Sequence, residues 1–306
     1  MDGPVVRLLL ILMIAGSLAA AAGCSSFPPG NAAPGGPAEI GWRSIAPGVD
    51  LAEITSTKPP LRVYCLRVDT GGPGVEVIVT PPEEAAGPGD AEYPGRRTST
   101  FLERFGLVAA VNGSPFRPVR LNEGKPTDVV GVSVYRSEII SPPDPAYDCL
   151  VRYPAGDFAV ISQAEIPPDI GLAVGGFHKV LENGKAIGGG ESSPVRHPRT
   201  GVGTSRSGLV LYLVVIDGRN PASSIGATEA ELAGWLAYFG AWDGLNLDGG
   251  GSSTLVVADG EGNPRRVNRP LGYGRLGMER VVGNHLGISA APHRDEPPGG
   301  VSPGTD

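Results

Sequence analysis

The stretch Asn246-Leu247-Asp248-Gly249-Gly250-Gly251-Ser252-Ser253-Thr254 constrains this chain more than any other. Leu245 and Leu247 alternate with Asn246 and Asp248, and Leu255, Val256, Val257 and Ala258 follow. A strand therefore leads into a glycine turn and a second strand leaves it. Successive glycines open backbone angles closed to residues with a Cβ, so their N–H groups can converge on one point. Such a nest suits an anion. Three hydroxyls at its edge add donors, and Asp248 supplies a base, an acid or an orienting group. The competing reading is a plain hairpin with a capping Asp, since Asp-Gly is a common hairpin signal. A hairpin needs one glycine, though, not three followed by Ser-Ser-Thr.

Other polar clusters also fall where apolar runs end. Leu61 to Val68 alternates as a strand, and Val75 to Val79 is its expected hairpin partner across Gly71–Gly74. Thr100 with Glu103 fits a capping box for a short helix ending at Gly106. Leu107 to Val111 reads as a central strand ending at Asn112-Gly113-Ser114, and Val129 to Tyr135 as another strand. Residues 141–169 carry several prolines and read as the least regular part of the core, either a peripheral hairpin or a rim over the site. Asn183-Gly184 marks a hairpin. Arg196-His197-Pro198-Arg199-Thr200 is the best local positive site, because arginine's planar fork matches phosphate oxygens. Leu209 to Ile216 is the strongest strand and ends at Asp217-Gly218-Arg219. Thr228 with Glu231 makes a second capping box, followed by a Leu232, Trp235, Leu236, Phe239 stripe and a closing Gly240. That strand–helix–strand length predicts a crossover, with Asp217 and Asp248 emerging at one edge. Val281, Val282, Leu286 and Ile288 are expected in a closing strand.

Glycine (47) and proline (31) make about a quarter of the 306 residues, near the range of disordered chains. They concentrate in loops and at the ends. The expected organisation is a signal peptide over 1–23, a flexible Pro/Gly tether over 24–39, one domain over 40–290 and a disordered tail over 291–306. Val5 to Ala22 is almost wholly apolar, and Ala21-Ala22-Gly23-Cys24 resembles a lipoprotein cleavage site with Cys24 as the lipidated residue. The chain is thus expected to be an exported, membrane-anchored lipoprotein of the cell envelope. Ordinary cleavage, giving a secreted or periplasmic protein, is the alternative. In an oxidising compartment Cys65 and Cys149 can pair as a disulfide or remain buried thiols. Net charge is −7 with no basic stripe, which argues against a nucleic-acid partner. There is no GxxxxGK[ST], HExxH or GxSxG. The four histidines lack ligand spacing, so no metal site is expected and no cofactor is assigned. A divalent cation on Asp217 and Asp248 is the one exception considered. Nothing in the sequence specifies an oligomeric state.

Set in order, these clusters resemble the phosphodiester glycosidase family over about Ile40 to Ser289. Ala109 to Phe116 is similar to that family's Val-Asn-Gly-x-Phe block, with Pro115 inserted before the aromatic. Arg199-Thr200-Gly201-Val202-Gly203 resembles its Arg-Thr-x-x-Gly block. Asp217-Gly218-Arg219, then Ser224 to Thr228 and Glu231-Leu232-Ala233, resemble its strand-to-helix block. Asn246 to Thr254 resembles the family signature along its whole length, and Asn268-Arg269-Pro270 with Glu279-Arg280 resembles the closing block.

The resemblance implies a single α/β (mixed α+β) domain of twisted mixed sheets with a few packed helices. It implies an enzyme that hydrolyses the glycosidic bond of a sugar-1-phosphodiester, with a sugar-phosphate diester or phosphorylated glycan as its partner. Asp248 would be the catalytic carboxylate, with Asp217 or Glu279 as the second. Gly250, Gly251, Ser252, Ser253 and Arg199, with Thr200 and Arg280 beside them, would hold phosphate and substrate. Asn112 and Thr254 would orient sugar or carboxylate. Two alternatives remain: an envelope lipoprotein that binds phosphodiester-linked glycans without catalysis, and a metal-dependent phosphodiesterase that cleaves the P–O bond.

Overall fold

A computed structural model describes residues 40–82, 92–187 and 195–290. The expected signal peptide, the lipidation site at Cys24, the tether and the tail lie outside the described residues. Among those residues, no helix is long and apolar enough to cross a membrane.

Strands dominate. An eight-stranded sheet runs in the order β1 (Arg43–Ala46), β2 (Val49–Thr57), β3 (Pro60–Asp69), β17 (Val210–Ile216), β16 (Arg199–Thr204), β18 (Asp243–Asn246), β14 (Lys179–Glu182), β15 (Lys185–Ala186). A five-stranded sheet orders β20 (Pro264–Arg266), β19 (Leu255–Ala258), β6 (Ala109–Asn112), β21 (His285–Ser289) and β4 (Glu76–Val79). Another orders β10 (Glu138–Ser141), β9 (Ser133–Tyr135), β13 (Leu172–Gly175), β11 (Asp148–Arg152) and β12 (Phe158–Ser162). A small one joins β5 (Tyr93–Pro94), β8 (Pro126–Val129) and β7 (Phe116–Arg117). Two α-helices, α1 (Thr98–Phe105) and α2 (Glu229–Phe239), pack on the sheets.

β17 shows why the large sheet is buried on both faces. Leu211, Leu213 and Val215 face the core shared with both five-stranded sheets, where Val111, Leu255, Leu286, Leu150 and Val174 meet them. Tyr212, Val214 and Ile216 point the other way, onto the Leu232, Trp235, Leu236 and Phe239 stripe of α2. The two-residue alternation of a strand divides one continuous apolar run between two cores. α1 covers the outer face of the first five-stranded sheet, with Phe101 and Leu102 against Ala110 and Val256.

The expected mixed sheets are a correction: the described strands pair antiparallel throughout, and the described residues are β-rich with two α-helices. Both edges of β3 are taken by β2 and β17, so β4 crosses to the other sheet and pairs with β21. The 141–169 region is more regular than expected: its prolines flank β11 and β12, which pair as an antiparallel hairpin, the first of the two expected forms. The span 129–135 splits into the ends of β8 and β9 around Gly131, whose φ is +81°. The closing strand begins at His285, leaving Val281 and Val282 before it.

Helix starts divide in the same way. Thr228 and Glu231 form the expected capping box, and Gly240 closes α2 in the left-handed region. α1 also ends as expected at a left-handed Gly106, but it begins at Thr98, so Thr100 lies inside the helix. Its first turn is satisfied from far away in sequence: the Ser99 N–H donates to Glu279 Oε2 at 2.9 Å.

Cys65 and Cys149 are free and do not form the disulfide considered from the sequence. They belong to separate cores, Cys65 facing the α2 layer and Cys149 the outer face of the second five-stranded sheet. Burial pushes both thiols up, Cys149 to about 12.

Candidate functional site

Topology gathers the motifs. β17 and β18 each pair antiparallel with β16, so they run parallel on either side of it. The residues following β17 and β18, and the first residue of β16, therefore share one sheet edge. Asp217 and Asp248 lie at that edge, as the crossover predicts, and Arg199 lies there with them. The chain then passes through a 3-10 turn at Gly250–Ser252 into β19 of the neighbouring sheet. That turn bridges the two sheets.

Asn112, at the end of β6, pins the bridge. Its Nδ2 donates to Asp248 O at 2.7 Å. Its Oδ1 accepts from Thr200 Oγ1 at 2.8 Å and from the Thr254 N–H at 3.1 Å. The Asp248 N–H donates to Gly113 O at 3.1 Å. Asn284 holds this corner in turn, accepting from the Ser114 N–H at 2.7 Å. A Cβ on Gly113 would lie 2.5 Å from Asn284 Oδ1, so this corner takes only glycine. Asn112 and Thr200 are thus brought to the site as its frame, with their hydrogen bonds turned inward.

Asp248 is half-buried, but its carboxyl is closely surrounded by protein. Burial pushes its pKa up to about 6, against the opposing pull of the Ser252 hydroxyl, the Arg280 guanidinium and the Gly249 N–H. Arg280 Nη1 also donates to Ser252 Oγ at 3.3 Å. The Arg280 side chain packs against Gly251, where a Cβ would sit 2.8 Å from Cζ. Next to it, Arg219 covers Gly250: a Cβ there would lie 3.3 Å from Nη2. Gly250 has φ +63° and Arg219 φ +56°, a left-handed angle uncommon for a residue with a side chain. The Arg219 Nε donates to His197 Nδ1 at 3.3 Å, with Nη2 at 3.2 Å. Burial, Arg219 and Arg199 all hold the His197 pKa below its ordinary value.

The glycine nest is only partly free. The Gly250 N–H donates to Pro198 O at 2.8 Å, and the Gly249 N–H turns to Asp248. The second role of the glycines is steric, since side chains there would displace the two guanidinium groups. Arg219 was not singled out as a site residue from the sequence. Its position after Asp-Gly at a strand's end was the available signal, but only the fold brings it to Gly250.

The remaining candidates divide by partner. Arg199 is buried, its Nε on Ala227 O at 3.0 Å and its Nη1 on Glu229 Oε1 at 3.2 Å. Asn246 Nδ2 reaches the same Glu229 oxygen at 3.4 Å. Arg196, its partner in the basic motif, is drawn away to Glu231. Asp217 accepts from Asn268 Nδ2 at 3.0 Å, from the Arg269 N–H at 3.1 Å and from Tyr64 Oη at 3.4 Å. Burial raises its pKa despite these donors. Asn268 Nδ2 also reaches Ser253 O at 3.0 Å, tying Asp217 to the glycine turn. Glu279 caps α1 and lies 3.9 Å from Arg266 Nε. Arg199 Nη2, Asn246 Oδ1, Ser253 Oγ, Thr254 Oγ1 and Arg280 Nε are buried without a hydrogen-bond partner among the described residues. Such atoms are few in folded proteins and ask for a ligand group or water. Among the described residues, no three His, Cys, Asp or Glu side chains gather to hold a metal ion. A groove of about 250 Å³ lined by Val132, Ile139, Ile166 and Ile170 shares no residue with this site.

Comparison with known proteins agrees with the architecture. The zebrafish N-acetylglucosamine-1-phosphodiester alpha-N-acetylglucosaminidase catalytic domain, auto-inhibited by its pro-peptide, superposes with a TM-score of 0.55 at 17% identity, over 78% of this chain and 81% of that one. A protein of Burkholderia pseudomallei K96243 described as exported gives 0.54 at 16% identity, over 75% and 74%. A hypothetical protein from Synechocystis gives 0.51 at 14% identity, over 79% and 62%. At these identities the likeness is one of fold. No curated protein matches the sequence. The family profile described as phosphodiester glycosidase matches residues 105–289, a span that runs from the end of α1 to β21 and includes every motif gathered around Asp248. The chain belongs to the phosphodiester glycosidase family.

Proposed function

We propose that the protein is an exported hydrolase that cleaves the glycosidic bond of a sugar-1-phosphodiester. The observation that carries this reading is the Asp248 carboxyl, raised toward neutrality beside the Arg280 guanidinium on a glycine turn. The family supports the type of bond, and the unpartnered polar atoms of Ser253, Thr254, Asn246 and Arg199 support a polar ligand. The apolar segment Val5–Ala22 and Cys24 support export and a lipid anchor.

In the reaction, the bond between the anomeric carbon and the phosphate oxygen breaks. A water oxygen bonds to that carbon and a phosphate monoester leaves. The leaving group is a weak base, so strong proton donation to it is not required. The demands are a carboxylate against an oxocarbenium-like centre and positive charge on the departing phosphate. Asp248 fits the first as base or nucleophile, and Arg280 the second. Asp217 and Glu279 fit supporting roles, Asp217 by holding the Asn268 corner and Glu279 by capping α1 and placing Arg280. No cofactor enters the scheme.

Hydrolysis of a panel of sugar-1-phosphodiesters in oxygen-18 water, with and without a chelator, tests this. Label on the sugar, unaffected by chelator and abolished in Asp248→Asn, is the expected result. Label on the phosphate, chelator sensitivity or binding without turnover overturns it.

A further inference from the structure

Two guanidinium groups from distant segments lie against consecutive glycines. Arg219, after β17, covers Gly250, and Arg280, before β21, covers Gly251. Their charge is not balanced alike. Arg280 is close to the Asp248 carboxylate, whereas no carboxylate pairs with Arg219 among the described residues. The Arg219 fork is instead held on its Nε side by His197 Nδ1, a neutral acceptor. Acceptance at Nδ1 puts the ring proton on Nε2. His197 is itself fixed by the backbone: its N–H and C=O both pair with Ala227, and a Cβ on Gly226 would lie 2.6 Å from His197 O. The left-handed angle at Arg219 completes the placement. Backbone held in an uncommon conformation beside a carboxylate is where functional constraint is expected.

We propose that Arg219 and Arg280 clamp the phosphate of the substrate across the Gly250–Gly251 step, with His197 as the positioning residue that aims the Arg219 fork. The inference rests on the glycosidase reading for the identity of the phosphate. It adds a specificity element: the site would select a phosphodiester-linked sugar over an ordinary glycoside. Arginine suits this because its planar donors meet two phosphate oxygens at once. An acceptor at Nδ1 that engages Nε and Nη2 leaves the Nη1 side of the guanidinium for the ligand.

The test uses the full chain with phenyl phosphate as probe. Titration is followed by calorimetry and by the Arg219 Nε–H signal of the wild-type protein. Wild type should bind saturably and shift that signal. Arg219→Ala should weaken binding by about tenfold or more, and His197→Ala by about three- to tenfold. His197→Asn, whose amide oxygen can stand where Nδ1 stands, should return to within about twofold. Arg206→Ala, whose guanidinium lies over Trp242 near the far end of β16, serves as the control and should bind as wild type. On a sugar-1-phosphodiester, His197→Ala should raise KM and leave kcat nearly unchanged. The clamp is overturned if wild type fails to bind, if the Arg219 signal does not move, if Arg219→Ala binds normally, or if His197→Asn and His197→Ala behave alike. Phosphate binding without glycosidic cleavage would leave the clamp standing and overturn the glycosidase reading. Cleavage indifferent to Arg219→Ala would overturn the clamp alone.

Discussion

In the proposed reaction, Asp248 has opposite consequences for stability and activity. Its carboxyl has an ordinary value of 3.8, raised to about 6 in the folded protein by burial. The folded state therefore binds that proton more tightly than the unfolded chain. The unfavourable contribution is absent below pH about 3.8 and grows as pH rises to about 6, reaching about 3 kcal/mol above it. Asp248→Asn should thus lose activity by two or more orders of magnitude, on the order expected for a group acting in the transition state. It should unfold no earlier than wild type at pH 7.5, and later if the amide keeps the Ser252 contact. Thermal melts at pH 4 and pH 7.5 would show it, with the gain confined to the higher pH. In the proposed reaction the same titration sets the activity profile: with the carboxylate as base or nucleophile, kcat/KM should fall as pH drops through about 6. A limb falling in the other direction would identify Asp248 as a proton donor instead. Asn112 is the structural counterpart. Asn112→Ala removes the acceptor of the Thr254 N–H and the donor to Asp248 O, and should cost about 3 kcal/mol in a urea titration.

The helices separate a locally written cap from one supplied by the fold. In α2 the Glu231 N–H donates to Thr228 Oγ1 at 3.1 Å and the Thr228 N–H to Glu231 Oε2 at 2.9 Å. Thr228→Ala should cost about 1 kcal/mol. Thr100 has the same spacing to Glu103, but it is inside α1 and caps nothing. Thr100→Ala should change stability by less than about 0.5 kcal/mol. Glu279→Gln should be felt at α1, since it removes a full charge from the positive helix end. The contrast explains why one sequence signal succeeded and its twin failed. A Ser/Thr-x-x-Glu pattern specifies a helix start only when no better acceptor reaches the first turn. Glu279, 180 residues away, is that acceptor. The Val75–Val79 strand followed the same logic: its apolar alternation was legible, but its partner depended on which sheet edges remained open.

At the level of the molecule, the free cysteines make the fold independent of redox state. Dithiothreitol should leave the melting temperature unchanged, and alkylation of native protein should spare the peptides carrying Cys65 and Cys149. Both should label in denaturant, because burial and not pairing protects them. The sequence was informative wherever the cause is short-ranged. Apolar alternation marked β3, continuous apolar runs marked β6 and β17, spaced apolar residues marked β21, glycines closed α1 and α2, Asn183-Gly184 turned a hairpin, and the order of motifs pointed to the family. Asp248, Arg199, Asp217 and Asn112 could all be named as polar groups at strand ends. What each one does was decided by tertiary structure. Asn112 spends its hydrogen bonds on the frame, Glu279 caps a helix and Arg199 is held by Glu229. Arg219, an ordinary residue in its own segment, comes to cover the glycine turn. The reason is physical: a strand's rise and alternation depend on neighbouring residues, while a side chain's partner depends on which distant segment the antiparallel order of sheets brings within about 3 Å.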